Sequence, residues 1–216
     1  MKTTFICLAN SRKYGERCIA GIEVKQKGDF WEIVHRNDRP KWLRPVTDTE
    51  FGGVSPALVG RIVLLNLVEI DITHSVPKGY QSENVLFDAK SLNVLGSITA
   101  TWNNLSKLAN ANDFSIFAGN RGAIHKDKMA DVTYSLALIE VQDVRIRIRD
   151  DNGHIRAQFR HGQYHYDLPV TDVNFIEQFA LNEAVLAEAE HVFFSVSLGI
   201  EYQEQYYKLV AGIVWF

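Results

Sequence analysis

The side chains with the clearest binding chemistry are arginines that alternate with apolar residues in two neighbouring runs, with one glutamine among them. Period-two spacing places them on one face of a β-sheet, opposite the apolar residues. Guanidinium groups donate paired hydrogen bonds to phosphate and stack on bases, so the pattern is typical of a site for single-stranded nucleic acid or a nucleotide-like ligand. The predicted nucleic-acid-binding residues, with a histidine that extends the face, are Arg145, Arg147, Arg156, Arg160 and His165.

A second interpretation of these arginines needs no ligand. Outward charges keep small β-sheets soluble and discourage pairing between their edges. The chain from Thr171 to Gln205 holds seven acidic residues and no lysine or arginine, so the arginines could also pair with this acidic side. Tyr164 and Tyr166 would offer stacking rings, but alternation predicts that both point into the core.

Another basic region lies near the N-terminus, where residues 1–45 contain ten Lys/Arg and five Asp/Glu. A polar turn is predicted over 10–15, where backbone N–H groups and cations could hold an anion. Trp42 and Arg44 would share a strand face and could form a stacking pair, although tryptophans are mostly core residues. The predicted anion- or ligand-binding residues are Asn10, Ser11, Arg12, Lys13, Trp42, Arg44 and Asn120.

No motif specifies a catalytic reaction, and neither a metal nor a cofactor is expected. Cys7 and Cys18 are isolated, and the histidines lack the spacing of zinc ligands. The 119–122 segment lacks the Gly-Lys-Ser/Thr end of a phosphate-binding loop. A small-molecule sensor or an enzyme remains a second alternative, using polar residues between positions 74 and 131, namely His74, Glu83, Asp88, Asn120 and His125.

The elements that must position the arginines follow in the order strand, strand, strand, helix, strand, strand. The strands are predicted over 135–149, 154–160, 164–170, 192–198 and 206–214. The helix is predicted over 175–189, with Asn174 and Glu177 as a capping pair and Phe175 and Phe179 in its packing stripe. This order, with a long first strand, is that of the five-stranded OB barrel, a fold that often binds nucleic acids and sugars.

The N-terminal part is also rich in strands, and we expect a second barrel there. Strands are predicted over 3–9, 17–24, 30–35, 42–46 and 61–72, and short helices over 82–95 and 101–108. The predicted fold is therefore a β-dominated α+β protein with two OB-like five-stranded barrels packed together and a small helical insert between them. The predicted units are 1–80 and 134–216 for the barrels and 81–133 for the insert.

Several stretches resemble, in the expected order, the bacterial dual-OB-containing domain family. The matching stretches are 7–13, 17–21, 42–46, 80–84, 156–160, 170–172, 196–199 and 207–211. The resemblance implies two OB-like barrels and a role in recognising a ligand or nucleic acid, within bacterial defence or conflict systems. It implies no catalytic residue.

Bulk properties neither support nor oppose this prediction. The chain has 216 residues and a formal charge of −3, so only the distribution of charge can indicate a nucleic-acid partner. No apolar run approaches the roughly 20 residues that cross a bilayer, and the first residues lack the apolar stretch of a signal peptide. We expect a cytoplasmic, non-enzymatic binding module without a membrane partner. The first alternative is a module that docks onto a partner protein in a regulatory or defence complex.

Overall fold

The structure is a computed structural model that describes residues 1–109, 115–119, 122–151 and 153–216. The first part of the chain forms strands with one short helix, α1, at Pro56–Val59. The strands are β1 Lys2–Lys13, β2 Glu16–Lys27, β3 Phe30–Ile33, β4 His35–Arg36, β5 Arg39–Pro40, β6 Trp42–Val46, β7 Asn66–Ser75 and β8 Asn84–Ser97.

Five of these strands close into a barrel. Around the ring, β1 pairs with β2, β2 with β6, β6 with β8, β8 with β7, and β7 with β1. The β6–β8 pair is parallel and the other four are antiparallel. This is the OB order. Helix α1 lies between β6 and β7, which are the third and fourth barrel strands along the chain.

The rest of the chain repeats this topology in a more open form. Helix α2 spans Trp102–Leu108, α3 spans Val173–Leu181, and two 3₁₀ turns span Ile116–Ala118 and Lys126–Asp131. The remaining strands are β9 Ala123–His125, β10 Leu136–Ile148, β11 Ile155–His161, β12 Tyr164–Pro169, β13 Val192–Tyr202 and β14 Gln205–Trp215. They form a curled sheet, a half-barrel, in the order β12-β11-β10-β13-β14-β9.

The open side of the half-barrel is bridged next to the end of β12. Val170 forms a parallel bridge with Val210 of β14, and the Thr171 N–H donates to the Val210 carbonyl at 2.8 Å. The bridge joins the third and fifth strands, as the β6–β8 pair does in the closed barrel. The predicted fold class and the strand order over 134–215 are therefore confirmed.

Continuous apolar runs form where a strand is buried on both of its faces. In β1, Phe5 and Cys7 point into the closed barrel, whereas Ile6 and Leu8 join a cluster that spans both units. Members contributed to this shared cluster by the half-barrel include Leu138, Phe193 and Ala211. The two units are therefore packed against each other through a common apolar core.

Three predictions about local structure are wrong. The 82–95 segment is not a helix but part of β8, because Val85 and Phe87 pack at period two on the core of the closed barrel. The residues at 10–13 do not form a turn but the end of β1, and the turn comes at Tyr14 and Gly15, where φ is 46° and 82°. The predicted boundaries of the three units, 1–80, 81–133 and 134–216, stay predictions.

The third error concerns the extent and the cap of helix α3. The helix ends at Leu181 rather than 189, and its N-cap is Asp172 rather than Asn174. The predicted packing of Phe175 and Phe179 is confirmed, since both are buried in the core of the half-barrel. The predicted helix over 101–108 is confirmed as α2.

Candidate functional site

The predicted arginines lie together on the outer surface of β10, β11 and β12. Strand register places Arg147 opposite Arg156, Arg145 opposite Gln158, and Arg160 opposite His165. Their neighbours Ala157, Phe159 and Leu168 are buried on the inner side, as alternation requires. We call this surface the arginine face, and its members are Arg145, Arg147, Arg156, Gln158, Arg160, His165 and Asp167.

Asp167 lies at the centre of the arginine face and binds two of its arginines. Its carboxylate accepts from Arg156 Nε at 2.5 Å, from Arg147 Nη2 at 2.6 Å and from Gln158 Nε2 at 3.2 Å. Partial burial would raise the pKa of Asp167, but the hydrogen bonds from Arg156, Arg147 and Gln158 outweigh burial and hold this pKa below its usual value. Asp167 is therefore an anion at neutral pH and relieves the repulsion between Arg147 and Arg156.

The other members of the face are less constrained. Arg160 Nε donates to Asp143 Oδ2 at 2.7 Å, and its Nη1 donates to the Gly162 carbonyl at 3.2 Å. The side chains of Arg145 and His165 are exposed and make no hydrogen bond or ion pair with another described residue. A guanidinium carries five N–H donors, so Arg147, Arg156 and Arg160 each keep unused donors.

Aromatic side chains do not contribute to the arginine face from within its strands. Tyr166 is buried and stacks on Phe159 with ring centroids 5.4 Å apart, and Tyr164 packs against the same core. The prediction that both tyrosines point inward is confirmed. Base stacking on this face would therefore fall to the guanidinium planes.

The N-terminal candidates do not form the predicted anion site. Asn10 and Ser11 are buried in β1, and Asn10 Nδ2 donates to the Ile62 carbonyl at 2.8 Å. The Arg12 N–H donates to the Thr171 carbonyl at 3.0 Å, so it is not free for an anion. Lys13 ends β1. Asn120 lies outside the described residues.

Trp42 and Arg44 are both buried, so the predicted surface stacking pair does not form. Trp42 is 9% exposed and Arg44 is 2% exposed. Arg44 Nη2 forms an ion pair with Glu83 at 3.0 Å and donates to Ser135 Oγ at 2.8 Å. Because Ser135 precedes β10, this buried pair connects the closed barrel to the half-barrel.

The polar residues between positions 74 and 131 do not converge on a common site among the described residues. His74 is exposed on β7, Asp88 is exposed on β8, and His125 is on β9, where it lies 3.2 Å from Asp127. Glu83 is held by Arg44. Within the described ranges no group of three His, Cys, Asp or Glu side chains could hold a metal ion. None of the described helices is long and apolar enough to cross a membrane.

Two buried ionisable residues with shifted pKa values were not predicted from the sequence. The Asp172 carboxylate accepts the backbone N–H groups of Asn174, Phe175 and Ile213, and burial raises its pKa to about 6. Lys208 points into the half-barrel, where Nζ donates to the Gly119 carbonyl at 2.7 Å, and burial lowers its pKa to about 8. The sequence offered a signal for Asp172, because it precedes an apolar helix as N-caps do. Nothing in the pattern around Lys208 separates it from a surface lysine.

In a comparison with protein families, a model described as the dual OB-containing domain matches residues 3–213. The match covers both the closed barrel and the half-barrel and nearly the whole sequence. No curated protein matches the chain.

Proposed function

The chain belongs to the dual OB-containing domain family, and from this premise we propose that it is a non-enzymatic module that binds single-stranded nucleic acid on the arginine face. The observation that carries the proposal is the surface over β10, β11 and β12, where four arginines lie beside two carboxylates. Asp143 and Asp167 pair with three of these arginines, and the Arg145 side chain makes no ion pair with a described residue. OB barrels commonly hold oligonucleotides on the surface around the second and third strands, which here are β11 and β12.

The geometry of the face suits an extended, negatively charged chain. Residues at alternate positions of one strand are about 6.6 Å apart, and neighbouring strands are about 4.8 Å apart, so the guanidinium groups form a two-dimensional array. Unused N–H donors of Arg147, Arg156 and Arg160 can bind phosphate oxygens while the Asp167 and Asp143 pairs keep those side chains in place. Arg145 and His165 add exposed groups at the two sides of the array.

The contacts are to phosphates and to the faces of bases, so we expect little sequence preference. Arginine binds phosphate in a bidentate way and stacks on any base. Gln158 is the only side-chain amide on the face as defined, and it already donates to Asp167. The binding chemistry therefore favours single-stranded nucleic acid, whose base faces are accessible, over sequence-specific binding of a duplex.

Fluorescence anisotropy with a labelled single-stranded oligonucleotide, titrated over a range of salt concentrations, tests the proposal. If the array contacts three or four phosphates, the logarithm of the affinity should fall against the logarithm of salt concentration with a slope of about −2 to −3. Replacing Arg145, Arg147, Arg156 and Arg160 with alanine should weaken low-salt binding at least tenfold.

A matched control removes as many positive charges from the closed barrel. Lys25, Lys27, Arg36 and Lys78 are all exposed, and their replacement by alanine should change the affinity less than threefold. Equal losses in both variants would show that only net charge matters and would reject the arginine face as the site.

A second candidate function is docking of a basic partner protein, and it rests on a different surface. The 182–190 segment after α3 carries Glu183, Glu188 and Glu190, and the neighbouring Leu181 is 90% exposed. An apolar side chain beside acidic ones is a common feature of protein-binding surfaces. A variant with Leu181→Ser and the three glutamates changed to glutamine should lose a partner captured from the native host, and retention of that partner would reject this candidate.

A further inference from the structure

A cavity of about 390 Å³ lies at the junction of the two units, away from the strands of the arginine face. The closed-barrel side contributes Leu64 and Leu65, and the connection to α2 contributes Ala100. The half-barrel side contributes the start of α3 and the end of β14, including Trp215. The volume falls within the range of small-molecule binding sites, which begins at about 300 Å³.

Two side-chain carboxamides in the cavity are neutral and unused. Asn174 and Gln178 are four residues apart on α3, so their side chains lie on one face of the helix. Neither carboxamide makes a hydrogen bond to another described residue. Each of them therefore offers both a donor and an acceptor to a ligand.

Charge complementarity excludes a strongly charged ligand. No lysine, arginine or histidine is among the described residues that line the cavity. The one carboxylate there, Asp172, already accepts three backbone N–H groups, from Asn174, Phe175 and Ile213. A phosphate would find no cation, and an ammonium group would compete for an acceptor that is already occupied.

The apolar walls favour a flat ring. Trp215 is half-buried and meets Phe175 edge to face, with ring centroids 5.7 Å apart and an interplanar angle of 89°. Leu64, Leu65 and Ala100 provide aliphatic contacts from the other unit. Leu65 is held at a φ of 69°, a conformation that bulky side chains rarely adopt, by hydrogen bonds to Cys7 and Ile98. This part of the wall is therefore fixed before a ligand arrives.

We propose that this cavity binds a neutral planar heteroaromatic ring of the nucleobase type, with Asn174 and Gln178 contacting the polar edge of the ring. Carboxamides form paired hydrogen bonds with the edges of bases, and an indole ring stacks on their faces. The ring could belong to a free nucleoside or to a base of a bound strand, because both present the same chemistry. The site shares no residue with the arginine face, so it does not depend on the proposed nucleic-acid binding there.

Uncharged nucleosides are the probes for this site, since they carry the base without a phosphate. We expect adenosine, cytidine, guanosine or uridine to shift the NMR resonance of the Trp215 indole N–H in the full chain. The binding should be insensitive to salt because no phosphate is contacted. Ribose 5-phosphate, which has no base, should leave the Trp215 resonance unchanged.

Two substitutions test the contacts. Gln178 is exposed, so Gln178→Ala should leave the fold intact and weaken nucleoside binding about tenfold. Ala100→Phe keeps both carboxamides but fills the cavity, and it should abolish the shift of the Trp215 resonance. Gln163→Ala removes an exposed carboxamide from the β11–β12 turn and should have no effect.

Three results would overturn the proposal. They are an absence of any nucleoside-dependent shift at Trp215, an equal response to ribose 5-phosphate, and nucleoside binding that survives both Gln178→Ala and Ala100→Phe. If free nucleosides shift the Trp215 resonance, an oligonucleotide and an abasic oligonucleotide of the same length distinguish the two sources of the ring. A shift with the first and none with the second would identify a base of a bound strand as a source. Loss of binding on the arginine face alone would not affect these outcomes.

Discussion

Asp167 determines how much of the arginine face is free to bind an anion. It neutralises part of the charge on Arg147 and Arg156 and also holds both side chains in place. Because alternation turns Tyr164 and Tyr166 inward, it also places Asp167 on the outer face. Alternation could not show that Asp167, rather than the acidic 171–205 region, would be the partner of the arginines. The same ion pairs offset the repulsion between the neighbouring Arg147 and Arg156 guanidinium groups in the absence of a ligand.

Asp167→Asn should therefore strengthen the binding of single-stranded nucleic acid. Removing a negative charge a few ångströms from two phosphate-binding groups should raise low-salt affinity about three- to tenfold. Anisotropy against the wild type measures the change. Asp151→Asn, which releases Arg149 outside the defined face, is the control and should have a smaller effect. A weaker affinity for Asp167→Asn would mean that orientation by this carboxylate matters more than its charge.

Lys208 should make stability depend on pH above neutrality. Burial lowers its pKa in the folded state to about 8 from 10.5, so the stability contributed by its neutral form is present above pH 10.5 and lost as pH falls through 8. Relative to Lys208→Met, the wild type should gain about 3 kcal/mol of unfolding free energy between pH 7 and pH 10.5. Urea unfolding of both proteins across this range measures the difference, and parallel curves would contradict the assignment.

At the scale of elements, α3 illustrates what local patterns can and cannot give. Its apolar stripe was visible, and Phe175 and Phe179 are buried as predicted. Its cap was missed because Asn174 and Glu177 form a plausible capping pair on their own. The actual cap, Asp172, also accepts the Ile213 N–H from β14, a contact 41 residues away that no local pattern contains.

Asp172→Ala should destabilise the fold more than loss of an ordinary cap. A cap is worth about 1 kcal/mol, and an orphaned buried N–H at Ile213 adds about 1–3 kcal/mol, so a loss of about 2–4 kcal/mol is expected. Thr101→Ala, at the exposed cap of α2, should cost about 0.5–1 kcal/mol. Chemical denaturation measures both variants. Equal costs would mean that the Ile213 contact contributes nothing.

The strands show the same division. Alternating runs predicted the ends of β10, β11 and β12 to within one residue, because each strand has an apolar inner face and a polar outer face. The helix predicted over 82–95 was wrong because β8 is defined by pairing with β6 and β7, which lie far away in sequence. Arg44 was expected at the surface for the same reason. Its ion-pair partner, Glu83, comes close to it only because β6 pairs with β8.

At the scale of the whole molecule, the two units pack so closely that their backbones touch. A Cβ atom at Gly212 of β14 would lie 2.0 Å from the Leu8 carbonyl oxygen of β1. Glycine is therefore required where the half-barrel meets the closed barrel. The buried Arg44–Glu83 pair and the shared apolar cluster hold the same junction.

Gly212→Ala should force the junction apart. The atoms that the new methyl group would meet belong to the backbone of Leu8 and Ala9 and cannot move aside as a side chain could. We therefore expect a loss of at least about 2–3 kcal/mol in unfolding free energy. Gly122→Ala is the matched control, because its Cβ would make only ordinary contacts at 3.5 Å and beyond. Urea denaturation compares the two variants, and equal stability would show that the close approach is not strained by a methyl group.

An NMR titration that observes the arginine side-chain Nε–Hε groups reports directly on whether the arginine face holds single-stranded nucleic acid. Adding an unlabelled single-stranded oligonucleotide at low salt should shift the resonances of Arg145, Arg147, Arg156 and Arg160, and added salt should reverse the shifts. The resonances of Arg36 and Arg61, both exposed on the closed-barrel side, should not move. Shifts confined to the closed barrel would contradict binding at the arginine face. So would the absence of any shift at the highest oligonucleotide concentration.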